Sequence, residues 1–151
     1  MLPKRSISMW GVIVCLFFSF ATVTMVRAAD TTEQLITQVD DILKANPLRA
    51  DEKVQLVTIA QDDTVSVLVA RIVEGAEIKP HFHKTHDETV YFIKGTGQQM
   101  VNDKWVDVKP GSIHFNPMTK VHSTKNTGSG ELVIISIFTP AMRETDRYFV
   151  K

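Results

Sequence analysis

The stretch PHFHKTHDE, Pro80 to Glu88, places three of the chain's five histidines beside two acids. On a β-strand successive side chains alternate between faces, so His81 and His83 project to one side and Phe82 to the other. The chain then turns through Lys84 to Asp87, and Glu88 opens TVYFI. If Glu88 faces inward, Val90 and Phe92 do too, as an apolar interior requires. A hairpin of this kind brings two imidazoles and one carboxylate towards a common point. Two neutral nitrogens and an oxygen anion suit a borderline divalent metal such as zinc, iron, manganese, nickel or cobalt.

Outward from this stretch the texture is that of strands. VQLVTIA, a QDDT turn and VSVLVARIV precede it, and TVYFI, GQQMV, KWVDV, SIHF and ELVIISIF follow. Turn-forming segments separate them: KGTG, VNDK, KPGS, NPMTK and NTGSGE. Short strands at this spacing predict an all-β domain closed as an antiparallel sandwich or barrel. The YFV end of the tail is read as an added edge strand. Ahead of the strands, Asp30 to Asn46 reads as a helix. Leu35, Ile36, Val39, Ile42 and Leu43 share one face, Asp30 and Glu33 offer a capping box, and Asn46-Pro47 supplies the stop.

The first residues are of another kind. MLPKR is a short basic start, followed by an uncharged run that ends at VRAAD. Val26 and Ala28 fit the small-residue positions of a signal-peptidase site, so cleavage is expected after Ala28 and the protein is expected in the periplasm or secreted. The alternative is an uncleaved membrane anchor. The organisation is thus a signal peptide at 1–28, a helix at 29–48 and the β-domain at 49–151. Cys15, the sole cysteine, lies in the exported segment, which leaves the mature chain without disulfide or thiolate ligand. Of the 17 basic residues, removal of Lys4, Arg5 and Arg27 leaves 14 against 17 acidic, a net charge of about −3. That balance argues against a nucleic-acid partner, which requires a basic surface.

The histidine stretch also carries a resemblance. Gly75-x5-His81-x-His83-x4-Glu88-x6-Gly95 resembles the first conserved motif of the cupin superfamily. Gly111-x5-Pro117-x-Thr119-x2-His122-x3-Asn126 resembles the second, with Thr119 where that family usually has glycine. The resemblance implies a single antiparallel cupin barrel, a double-stranded jelly roll, following the N-terminal α-helix. It also implies one divalent metal ion (Fe, Mn, Zn or Ni) held by His81, His83, Glu88 and His122. A threonine in a left-handed turn is strained, so the loop around Thr119 is expected to depart from the family's.

The remaining polar residues near the motifs are assigned as follows. His86 is expected to be a solvated loop residue, with an acid/base role at the pocket mouth as the alternative. Asp87 could replace Glu88 as ligand only by breaking the family spacing. His114 is expected to face outward or towards a partner subunit. Gln98 and Ser136 are the polar wall candidates, with Tyr91 placed outside by parity.

A metal with open coordination positions polarises a bound carbonyl or lowers the pKa of a bound water. Two functions follow: a metal-dependent enzyme on a small oxygenated organic molecule, of dioxygenase, isomerase or lyase type, or a non-catalytic module that binds a small ligand or metal. The oligomeric state is left open by the sequence, with a homodimer as the candidate. The catalytic residues, substrate and reaction are not specified by the motifs.

Overall fold

A computed structural model describes residues 36–150. The export run, its cleavage site, Cys15, the Asp30–Glu33 capping pair and Leu35 lie outside the described residues. The helix is shorter than its pattern suggests. Among the described residues α1 spans Val39–Ala45, and Asn46 closes it with both its backbone N–H and its Nδ2 on the Ile42 carbonyl. Gln38 is already extended, and Ile36 is 78% exposed, so part of the apolar face lies beyond the helix. Val39, Ile42 and Leu43 are half-buried.

Ten strands follow: β1 Val54–Gln61, β2 Ser66–Ile72, β3 Glu77–Phe82, β4 Asp87–Lys94, β5 Gly97–Val101, β6 Lys104–Val108, β7 Ile113–Asn116, β8 His122–Asn126, β9 Leu132–Thr139 and β10 Tyr148–Phe149. They form two five-stranded antiparallel sheets in the orders β1-β2-β9-β4-β7 and β10-β3-β8-β5-β6. This is the all-β jelly roll expected, and the tail's YFV does supply an edge strand through Tyr148 and Phe149.

Apolar burial concentrates at one end, where Ala70, Ile72, Val90, Phe92, Leu132 and Ile134 pack between the sheets. Full burial of each large side chain contributes about 1.5–3 kcal/mol, so this end supplies most of the packing stability. The other end is lined by polar groups from the same strands. Alternation along β4 shows the transition: Phe92 and Val90 belong to the core, and Glu88 continues their face towards the histidines.

Two motif positions are structural. Gly95 has φ +82°, and a Cβ there would lie 2.5 Å from the Glu131 carbonyl oxygen, so only glycine fits. Asn126 donates through Nδ2 to the carbonyls of Ile72 and Gly130, and its Oδ1 accepts from the Gly128 N–H. It ties β2, β8 and the following turn together. Pro80 is accommodated inside β3 because the β3–β8 register shifts between Ile78 and His81.

Candidate metal centre

The three strands that carry the site pair so that their inward positions converge. His81 stands opposite His122 across β3 and β8, and Glu88 stands opposite both Asn116 of β7 and Phe138 of β9. The structure brings together all four sequence-predicted ligands. One donor atom from each of His81, His83, Glu88 and His122 lies within 4.8 Å of the others, and all four residues are buried. Phe82 points the opposite way, stacked on Tyr148. Phe138 packs edge-on against His83, giving the site an apolar wall.

The imidazoles are oriented by backbone carbonyls. Nδ1 of His81 faces the Lys79 oxygen at 2.8 Å, Nδ1 of His83 the Asp146 oxygen at 2.6 Å, and Nδ1 of His122 the Lys120 oxygen at 2.9 Å. A carbonyl accepts and never donates, so each Nδ1 carries the proton and each Nε2 presents a lone pair. Nε2 of His83 and of His122 are buried without a hydrogen-bond partner. His122 Nε2 nevertheless lies 3.0 Å from Glu88 Oε2, and His83 Nε2 lies 3.9 Å from the same oxygen. The shorter approach has the length of a hydrogen bond without its alignment. Buried lone pairs facing one carboxylate oxygen require a proton or a cation among them. One proton satisfies the His122 pair and leaves the His83 nitrogen orphaned. A divalent cation satisfies all four donors at once, so these residues fit a metal of the zinc or iron type.

The protonation tendencies agree with that fit. Burial, followed by the neighbouring His122 charge, brings His81 down to about 3, which keeps its ring neutral. Burial likewise lowers His83, against the opposing pull of Glu88. Burial pushes the Glu88 carboxyl up, but the close approach of His122, which in the metal-free site is where a proton would sit, with Ser136 and the charges that His122 and His83 then carry, holds it down to about 2. Asn116 Nδ2 donates to Glu88 Oε2 at 3.1 Å. The carboxylate is therefore anionic and fixed in place.

Several neighbours sit differently from their sequence reading. His86 is buried rather than solvated: its Nδ1 lies 2.6 Å from Asp146 Oδ2 and its Nε2 faces the Ala141 carbonyl. His114 faces inward, because β7 pairs it with Val90 and places Ile113 and Phe115 outside, 69% and 55% exposed. Its Nδ1 is buried without a partner, and burial, then the His122 charge, lowers its pKa. Gln98 points outward to Asp107, and the inward polar group of β5 is Gln99, whose Oε1 accepts from Thr124. Ser136 is on the wall and Tyr91 is outside, as expected. Asp87 is no ligand; its Oδ1 accepts the Met118 N–H at 2.8 Å. Thr119 does occupy the left-handed region, at φ +69°, and its N–H donates to the His83 carbonyl. The loop keeps the turn that glycine would make, contrary to the expected departure, because the adjacent N–H groups of Met118 and Thr119 are tied to Asp87 and His83.

The residue that sequence reasoning missed is Asp146. Its carbonyl orients His83, and its carboxylate accepts from the Lys84 N–H, the Thr85 N–H and hydroxyl, and His86. No spacing in RETDRYFV marks it; the signal is the tail's pairing with β3, which sequence alone leaves unplaced.

Comparison with known proteins agrees with this geometry. The family profile described as "Cupin domain" matches residues 68–138. The chain belongs to the cupin superfamily. Over 67 residues it is 34% identical to a glucose-6-phosphate isomerase of Thermococcus onnurineus, covering 40% of this chain and 35% of that one. The chain thus spans about a third of that isomerase's length. A double-stranded β-helix protein of Klebsiella pneumoniae superposes with a TM-score of 0.61 at 22% identity, covering 70% of this cupin and 89% of that chain. A predicted oxalate decarboxylase of Thermotoga maritima gives a TM-score of 0.55 at 22% identity, covering 58% and 80%.

Proposed function

We propose that this cupin is an exported, metal-dependent enzyme acting on a small oxygenated organic molecule, by chemistry of the dioxygenase, isomerase or lyase type. The observation that carries the reading is the convergence of orphaned Nε2 lone pairs on the anionic Glu88 carboxylate in a buried site. His81, His83, Glu88 and His122 would hold one divalent ion, which supplies Lewis-acid polarisation and, for a redox-active metal, dioxygen chemistry. The backbone carbonyls of Lys79, Lys120 and Asp146 keep the protons on Nδ1, and Asn116 and Ser136 orient the carboxylate.

Two features favour catalysis over simple storage of a ligand. A cavity of about 220 Å³ lies beside the site, lined by His114, Lys120 and Asn116, the residue that holds the Glu88 carboxylate. His114 brings to it a neutral imidazole with an unpartnered Nδ1, suited to accept or deliver a proton. The isomerase and the predicted decarboxylase among the similar proteins support the same reading.

The test is metal analysis of protein made without a histidine tag, then turnover of a panel of sugars, keto acids and hydroxy acids with and without oxygen. Stoichiometric metal and metal-dependent turnover are expected. Glu88→Gln should weaken metal affinity on the order of 100-fold, since it removes the only anionic donor. Undiminished metal content in that variant removes the ligand set. Stoichiometric metal with no turnover of any panel member selects the non-catalytic binding module instead.

A further inference from the structure

The tail delivers a second charged group to the site. In the β3–β10 pairing Phe149 stands opposite His81 and Tyr148 opposite Phe82. Continuing that register one step places Arg147 beside His83, on the inward face. Arg147 is half-buried, its Nε is buried without a hydrogen-bond partner, and no ion pair among the described residues includes it. A half-buried guanidinium with a buried N–H left unbonded has the form of half a recognition site.

Arg147 also lies between two spaces. It lines a cavity of about 570 Å³ whose apolar wall is Val54, Ile78, Phe149 and Val150, with Glu77 and Lys79 at the rim. From its register position beside His83 its charge is also felt by Glu88, His81 and His83. Glu77, on the same cavity, makes no ion pair with it; its Oε1 accepts from the Ser123 hydroxyl. Phe149, 62% exposed, contacts the His81 ring at 6.1 Å between centroids and leaves an aromatic face towards the opening.

We infer that Arg147 is a substrate-recognition residue, which binds a carboxylate of the substrate at the wall between the cavity and the histidine–glutamate cluster. This assignment rests on the proposed enzymatic reading and narrows its substrate class to small carboxylic acids. One planar guanidinium matches one carboxylate through two parallel N–H···O bonds. A phosphate dianion calls for further cations, and Lys79 at the rim is exposed to solvent. Ile78 and Phe149 offer apolar contact to the carbon skeleton.

Succinate is the probe, with dimethyl succinate and inorganic phosphate as parallel arms. Binding is measured by calorimetry on the metal-loaded protein and on protein stripped by chelation. Wild-type protein is expected to bind succinate in both forms and to ignore the dimethyl ester. Arg147→Gln should lose affinity on the order of tenfold or more, and Arg147→Lys should recover part of it. Metal content should be unchanged in both variants, and circular dichroism verifies their fold. Equal succinate binding by wild type and Arg147→Gln overturns the assignment. So does an absence of succinate binding, or a preference for phosphate over succinate. Arg147-dependent binding by a wild-type protein that takes up no metal sustains the carboxylate site and removes the metal reading, so the two failures are distinguishable.

Discussion

At the scale of single residues, the site depends on which nitrogen of each imidazole carries the proton. Lys79, Lys120 and Asp146 decide this with carbonyl oxygens, which no side-chain motif encodes. Asp146 is the most informative position to change. Its carboxylate, held well below the usual range despite burial by hydrogen bonds from His86 and Thr85, anchors the 84–86 turn. Asp146→Ala should destabilise the protein by about 3 kcal/mol, because it leaves His86 buried without its carboxylate and frees the Lys84 and Thr85 N–H groups. It should also weaken metal binding by roughly tenfold through the loosened Asp146 carbonyl. Denaturant melts and metal competition measure the two effects; an unchanged midpoint would contradict the anchoring role. Sequence parity was reliable at His81, His83 and Glu88, where apolar neighbours mark the inner face. It failed at Gln98, because GQQMV carries a glutamine on each face and the alternation holds no information there.

At the scale of elements, β7 and β8 explain most of what the sequence concealed. In SIHF the apolar residues flank His114, so alternation predicts a histidine pointing out; pairing with β4 reverses this. HSTKN has no apolar residue to announce a strand, yet four of its five residues are buried in β8. Hydrogen bonds replace hydrophobic contact: Ser123 donates to Glu77 and Ile78, Thr124 to Gln99, and Asn126 to Ile72. The turn between these strands makes its own prediction. Thr119 at φ +69° is strained as a β-branched residue, while its N–H bond to His83 needs only backbone. Thr119→Gly should therefore stabilise the fold by up to about 1 kcal/mol with metal affinity unchanged. A lower melting temperature would show that the threonine side chain contributes more than its strain costs.

At the scale of the whole molecule, the two ends of the barrel respond differently to acid. The apolar end has no titrating group in its core cluster, whereas the site end holds His81 at about 3, below its ordinary 6.5. The unfolded chain takes up that proton first, so stability is full above pH 6.5 and is lost as pH falls towards 3. Glu88, held at about 2 against an ordinary 4.5, adds stability above pH 4.5 that is lost as pH falls through 2. Both effects have one sign. Metal-free protein should lose up to ~1.4 kcal/mol per pH unit for each proton involved, first through the histidine window. Bound metal should sharpen the loss, because protonated imidazole cannot coordinate. Melts from pH 8 to pH 4 with and without chelator check this; a flat profile in both would contradict it.

The sequence by itself determined the strand framework, the jelly-roll family and the four residues that meet at the site. The strands follow from alternation and turn chemistry, and the family and the four-residue set, His122 above all, from the resemblance to two cupin motifs of fixed spacing. Only the tertiary structure decided the inward turn of His114, the burial of His86, the grip of Asp146 and the approach of Arg147. Each of these depends on which strand lies beside which, and a two-residue edge strand such as β10 has too little pattern of its own to reveal its partner.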